Sequence, residues 1–237
     1  MTRAEKEYLE LVENFEHTKD KPLEGMAQFF DKRVETYEDH MIYVKDYYTW
    51  MAELIPEGTK TLLDIGCGTG LELDRIFERF PDMCVTGVDL STKMLDGLRR
   101  KHSGRSLTII QDDYFVHEYT ENSFDAAVAF ETLHHVTMEK KAQAYRQIYR
   151  ALKPGGVFIE CEYVSTSEKM EELFFSECAR RRKRDDIPDD VFVHFDTPLT
   201  IEHEIEAIKL GGFNDVEYLC REKERNGTAM IRAIKEA

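Results

Sequence analysis

Asp64, Gly66, Gly68 and Gly70 stand at alternate positions in the nine residues LLDIGCGTG, Leu62 to Gly70. Glycine permits positive φ and lets a ligand come close to bare backbone, so a turn of this make-up suits a cofactor. The spacing D-x-G-x-G-x-G differs from the G-x-G-x-x-G of dinucleotide binders in the place of its third glycine and in the acid before the first. A pyrophosphate asks only for N–H groups at a helix N-terminus, whereas a zwitterionic amino-acid tail also asks for a carboxylate or carbonyl to meet its ammonium group. The plainer alternative is a tight strand-to-helix turn whose glycines are structural. Acid–base chemistry has four candidates elsewhere: His134, Glu160, Glu162 and His194. Cys67 has no evident base beside it, so a nucleophilic role is not expected.

The elements that must position these residues follow from hydrophobic period. Leu62, Leu63 and Ile65 make a short buried strand, and Leu73, Ile76, Phe77 and Phe80 give the next segment one apolar helical face. Strand and helix then alternate: strands over 61–65, 85–89, 107–111, 124–130 and 156–163, helices over 71–80, 91–101 and 138–152. Such alternation predicts a parallel sheet covered by helices on both faces. Lys153-Pro154-Gly155-Gly156 ends one helix and restarts the chain as a strand. A helix over 201–210, with Ile201, Ile205 and Ile208 inward, leads to strand-like runs at 213–219 and 228–233. Asn226-Gly227 between those runs predicts an antiparallel hairpin.

Residues 1–55 read as a helical cap, with stripes at Tyr8, Leu11, Val12 and Phe15 and at Tyr43, Tyr47, Trp50, Met51 and Leu54. Residues 56–164 are the core, 165–200 an insertion expected to be a lid or pocket wall, and 201–237 the last helix and hairpin, all in a single domain. The basic run Arg180 to Arg184 is read as a solvated helix end, because acids follow at once. With 32 Lys and Arg against 47 Asp and Glu, the formal charge is −15, which disfavours nucleic acid and anionic membrane as partners. Five unclustered cysteines fit reduced thiols in a cytoplasmic protein, and no apolar run has the length of a membrane span. No His, Asp and Glu set has metal-site spacing, so no metal is expected.

Five phrases in order resemble the motifs of the class I S-adenosylmethionine (SAM)-dependent methyltransferases, over roughly residues 25 to 235. They are LLDIGCGTG, TGVDLSTKML (86–95), QDDYF (111–115), FDAAVAFETLHHV (124–136) and LKPGGVFIE (152–160). The resemblance implies an α/β, Rossmann-like doubly wound sheet of seven strands, mostly parallel with a C-terminal antiparallel hairpin. It also implies SAM as cofactor and S-adenosylhomocysteine as product. By the same resemblance Gly66, Cys67 and Gly68 line the methionine moiety and Asp64 lies near its ammonium group. Asp89 holds the ribose hydroxyls, the other reading being a helix cap shared with Ser91. Leu90 and Met94 flank the adenine, Asp113 accepts from its amino group and Tyr114 lies beside the ring, while Asp112 is expected to be solvated. Phe130 and Glu131 stand beside the sulfonium. FFDKRVETYEDHM (29–41) resembles a cap phrase in which Tyr37 covers the cofactor.

Methyl transfer from a sulfonium is an in-line displacement, so positioning comes first. A phenol or amine needs no strong base, whereas an alcohol or carbon acid does. Phe192, Val193 and Phe195 suggest an apolar wall, hence a small, partly hydrophobic acceptor attacked at O, N or C by a monomeric or homodimeric enzyme. Two other readings keep the fold. One is a SAM-modifying enzyme resembling carboxy-SAM synthase, for which Arg33 is the conspicuous cation. The other is a SAM-binding module without catalysis, to be recognised by a filled or closed pocket.

Overall fold

Strands that are apolar on both faces must be covered on both, and the chain does this by alternating them with amphipathic helices. The computed structural model describes residues 2–220 and 227–237. Helix α1 (Arg3–Thr18) opens on a capping box between Thr2 and Glu5, and is followed by β1 (Glu24–Gly25), α2 (Met26–His40), a 3-10 turn (Met41–Val44) and α3 (Lys45–Leu54). The central region runs β2 (Thr61–Ile65), α4 (Leu71–Arg79), β3 (Cys84–Asp89), α5 (Thr92–Lys101), β4 (Leu107–Gln111), β5 (Phe124–Phe130), α6 (Met138–Ala151) and β6 (Leu152–Tyr163). Helix α7 (Glu168–Arg184), β7 (Val193–His194), α8 (Ile201–Leu210), β8 (Asp215–Leu219) and β9 (Thr228–Ile234) complete it.

Seven strands form one sheet in the order β4-β3-β2-β5-β6-β9-β8. β9 runs antiparallel to both its neighbours and the other pairs are parallel. The order turns back between β2 and β5, so their C-terminal ends flank the crevice where such sheets bind ligands. One face of the sheet packs Leu62, Val128 and Ile159 against Trp50, Met51 and Phe77. The other packs Leu63, Ala127 and Phe158 against Tyr145, Ile148 and Phe213. Each large side chain so buried contributes about 1.5–3 kcal/mol.

Several expectations shift in detail. β6 starts at Leu152 rather than after the glycines, because Leu152 pairs with Phe124 before a bulge that holds Gly155 at φ +75°. The strand expected from Phe213 starts at Asp215, since Phe213 turns fully into the core beside Tyr149 and Phe158. Asn226 of the expected hairpin turn lies outside the described residues, but β8 and β9 pair from Asp215↔Ile234 to Leu219↔Met230. In α8 the buried residues are Glu204, Ala207 and Ile208 rather than three isoleucines. Glu204 can be buried because Lys141 and Tyr145 of α6 both bond to it.

The N-terminal helices and the late insertion form one roof over the crevice. β1 pairs with β7, Glu24 opposite His194 and Gly25 opposite Val193, and the Phe15 ring meets Phe174 of α7 at 5.6 Å. All five cysteines are free. No helix among the described residues is long and apolar enough to cross a membrane.

At the opposite edge Asp125 ties three strands together. Its Oδ2 accepts from the Lys60 and Thr61 backbone N–H groups, each at 2.9 Å, and from Thr61 Oγ1 at 3.0 Å, while Lys153 Nζ reaches Oδ1 at 2.6 Å. Burial opposes the charge, but Lys153 and these donors bring the carboxyl pKa to about 2. A lowered pKa gives stability that is present above the usual carboxylate range and lost as pH falls through about 2. Asp125→Asn should therefore lower the free energy of urea unfolding at neutral pH by about 1.5–3 kcal/mol. The gap to wild type should close as the pH is taken from about 5 toward 2.

Candidate functional site

The turn after β2 is held by the end of β3. Gly66 and Cys67 donate their N–H groups to the Val88 carbonyl at 2.8 and 3.2 Å, and Gly68 N donates to Asp89 Oδ2 at 3.0 Å. Gly66 has φ +66°, and a Cβ there would stand 1.9 Å from Thr132 Oγ1, so only glycine fits. The other oxygen of Asp89 accepts from Ser91 N at 2.7 Å. Ser91 caps α5 through Met94 N, and its hydroxyl donates to Asp31 of α2 at 2.6 Å. Asp89 thus joins turn, helix and roof.

The turn is strongly acidic. Asp64 is buried beside the Glu72 carboxyl. Burial first, and then the neighbouring Glu72 carboxyl, hold it well above the usual carboxylate range. Burial raises Glu72 itself to about 7. Tyr37 is pushed up by burial and then by the charges of Glu72, Asp89 and Glu131. Buried carboxyls without a cation are costly, so the cluster is matched to a positively charged ligand.

Two spaces open here. A cavity of about 900 Å³ is lined by Phe29, Phe30, Arg33 and Tyr37 from the roof and by Glu131, His134, His135, Tyr163, His194 and Asp196 beyond it. A second space, lined by Asp89, Leu90, Ser91, Tyr114 and Thr132, holds only about 30 Å³, because Met26, Ala27 and Phe30 of α2 close over it. Phe30, Glu131 and His135 border both spaces. Glu131, at their junction, has φ +44°, a left-handed backbone that its N–H bond to the Cys161 carbonyl at 2.7 Å helps to hold.

The far wall of the large cavity is organised by Glu162 at the end of β6. Its carboxylate is fully buried and accepts from Leu133 N at 2.8 Å, His134 Nδ1 at 2.5 Å and Tyr163 N at 2.8 Å. Burial works against both charges, yet each holds the other. Glu162 lies below its usual range and His134 above its own. With Nδ1 committed to Glu162, the ring directs Nε2 toward Asp196 Oδ1, 3.8 Å away. His194 stacks on Phe29 with centroids 3.4 Å apart, and burial lowers its pKa to about 4.

Of the cofactor residues expected from sequence, Asp64, Gly66, Gly68, Asp89, Leu90, Tyr114, Glu131 and Tyr37 gather around the turn and the two spaces. Phe130 lies just behind, its ring 4.3 Å from Tyr48. Cys67 contributes backbone, while its buried Sγ faces Gly87. Met94 is buried in α5 and lines neither space, and Asp113 accepts from Phe115 N at 2.9 Å within its own turn. Asp112 faces solvent and pairs with His117 at 2.8 Å. Glu160 does not reach the cleft: it is buried beneath α6, where Tyr145 OH donates to it at 2.7 Å. Glu72, Asp31 and Asp196 were not singled out from sequence. For Asp196 a signal existed, since an extended chain puts residues 194 and 196 on one side.

Residues 62–156 match the family model described as a methyltransferase domain. The chain is 27% identical over 221 residues to the carboxy-S-adenosyl-L-methionine synthase of Campylobacter lari, covering 83% of this chain and 91% of that protein. It is 25% identical over 183 residues to the phosphoethanolamine N-methyltransferase of Plasmodium falciparum, covering 73% of this chain and 67% of that one. Human N-acetylserotonin methyltransferase, solved in complex with SAM, superposes with a TM-score of 0.62 at 16% identity over 86% of this chain, which spans 55% of that structure's length.

Removing a carboxylate that satisfies a buried ion pair and two backbone N–H groups leaves all of them unmatched. Glu162→Ala should therefore cost about 3–5 kcal/mol in urea unfolding. Glu162→Gln, which keeps an acceptor, should cost visibly less.

Proposed function

The chain belongs to the class I SAM-dependent methyltransferases, and from that premise we propose that it methylates an oxygen, nitrogen or carbon of a small acceptor held in the large cavity. The observation that carries this reading is that the 900 Å³ cavity meets the space over Asp89 at Glu131, Phe30 and His135. A cofactor lying along the turn would present its sulfonium at that junction. SAM supplies an electrophilic methyl group, and the S–CH3 bond breaks as the bond to the acceptor forms, leaving S-adenosylhomocysteine.

Each part of the cofactor finds a matching group. The backbone of Gly66, Cys67 and Gly68 would hold the methionine moiety, with Asp64 and Glu72 taking its ammonium hydrogens. Each Asp89 oxygen already accepts one backbone N–H, which leaves lone pairs for the two ribose hydroxyls. Leu90 and Tyr114 would flank the adenine, with Asp113 beside them. Phe130 and Glu131 would face the sulfonium, and Tyr37 would cover it from the roof. The space over Asp89 is too small for a nucleoside, so Met26, Ala27 and Phe30 must lift on binding. The acceptor's proton would leave at the wall formed by His134, His135 and Asp196, with Glu162 holding His134 in place. The free thiols fit a reducing compartment such as the cytoplasm.

A second reading, a SAM-modifying enzyme, is favoured by the relative that spans 91% of its length at 27% identity. The cation such chemistry requires would be Arg33, which lines the cavity but is held by Glu24 at 2.8 Å and by the Phe29 ring at 3.6 Å. Glu24 is shared with Lys32 at 2.5 Å, so Arg33 is only partly neutralised, and the product formed from SAM decides between the two chemistries.

Incubation with SAM and an acceptor panel should yield S-adenosylhomocysteine, whereas a carboxylated SAM as the only product would establish the second reading. Calorimetric titration should show SAM binding weakened at least about 10-fold in Asp89→Ala and Asp89→Asn, because a charge-assisted hydrogen bond contributes about 1.5–3 kcal/mol. Unchanged affinity in both would refute the placement of the ribose.

A further inference from the structure

Three ligand atoms converge on one point of the large cavity's wall. His135 Nδ1 lies 3.4 Å from Asp196 Oδ1, His134 Nε2 lies 3.8 Å from the same oxygen, and all three atoms fall within 4.8 Å of one another. Both histidines are buried, while the Asp196 side chain is 43% exposed. We propose that His134, His135 and Asp196 bind one divalent first-row transition-metal ion, which holds and acidifies the methyl acceptor. This rests on the reading of the cavity as the acceptor chamber.

The hydrogen bonds of the two histidines turn one ring nitrogen of each toward Asp196. His134 Nδ1 is hydrogen-bonded to Glu162, which turns Nε2 toward Asp196, the orientation that a carboxylate imposes on a metal-bound imidazole. His135 is hydrogen-bonded to the backbone of Phe195, and its Nδ1 is buried with no hydrogen-bond partner. That nitrogen faces Asp196 Oδ1, 3.4 Å away. A buried ring nitrogen without a hydrogen-bond partner beside a carboxylate is satisfied by a cation held between them.

The positions are set by the fold. Thr197 N donates to the His134 carbonyl at 2.6 Å and Thr197 Oγ1 donates to it at 3.3 Å, which pins the segment carrying Asp196 against the residue it must meet. Ligand bonds of about 2.1 Å put neighbouring ligand atoms roughly 3.0–3.4 Å apart. Of the three edges, His135–Asp196 already has that length, His134–Asp196 is 3.8 Å and the edge between the two histidine nitrogens lies within 4.8 Å, so the side chains draw together around the ion. Two imidazoles and one carboxylate suit zinc, manganese or iron better than magnesium, and three protein ligands leave open positions. An acceptor hydroxyl or amine in an open position would lose its proton more readily and be held facing the junction at Glu131. The proton passes to solvent, the acceptor heteroatom takes the methyl group and the ion is unchanged.

The test needs neither acceptor nor SAM. Untagged protein is stripped with a chelator and titrated with Zn²⁺ by calorimetry and with Mn²⁺ by electron paramagnetic resonance, with Mg²⁺ as control. One equivalent of Zn²⁺ should bind with a Kd of about 1 μM or tighter. Asp196→Asn changes an exposed side chain and should fold, and it should weaken binding at least about 100-fold, while Glu162→Gln, acting through His134, should weaken it about 10- to 100-fold. Absence of stoichiometric Zn²⁺ binding, or binding unchanged by Asp196→Asn, overturns the proposal. SAM titration of the stripped protein separates the two readings: SAM binding without metal binding sinks the metal site alone, and metal binding without SAM binding sinks the assigned function alone.

Discussion

The carboxylate of Asp89 is the tie on which the site depends. Parallel strands end side by side at one edge of the sheet, but nothing in their ladders holds the loops that follow them. Asp89 supplies that hold. It accepts from the turn after β2 and from the first turn of α5, and Ser91 extends the link to Asp31 in the roof. Burial raises its pKa while the backbone N–H groups of Ser91 and Gly68 pull it down, so these donors are what permits a charge there. A ligand that adds hydroxyl donors would complete the same balance.

Glu162 does for the far wall what Asp89 does for the turn. It stands at the end of β6, beside the end of β5, and two of its three donors, Leu133 N and His134 Nδ1, tie the segment after β5 to it. Asp89 borders the small space, Glu162 lies buried behind His134 of the large cavity's wall, and Glu131 borders both spaces in a left-handed conformation. The acidic side suits a cation, and the histidine-rich side suits a group that must lose a proton. This division of charge is a stronger guide to chemistry than the fold, which many activities share.

Much of this was legible in sequence because it is local. The glycine spacing, the strand after each turn and the acid at the end of β3 depend on residues close in the chain. What was not legible depends on partners far apart. Glu204 reads as a surface acid until Lys141 and Tyr145, some sixty residues earlier, cover it. Glu160 read as a possible base because a strand end in such folds often lines the cleft, yet its side chain points beneath α6 to Tyr145. The pairing of β1 with β7 joins residues about 170 positions apart through two residue pairs, too short a run for any hydrophobic pattern. Asp196 has no metal-like spacing from His134 and His135 and reaches them only through the Thr197 contact.

The central claim is that one ligand spans the Gly66–Gly68 turn and Asp89 and presents its sulfur to the large cavity at Glu131. A crystal structure with S-adenosylhomocysteine tests it most directly. The account predicts an amino group at Asp64 and Glu72, ribose hydroxyls on Asp89, the sulfur beside Glu131, and Met26 and Phe30 displaced from the space they now close. A ligand bound elsewhere, or one whose ribose makes no contact with Asp89, would contradict it.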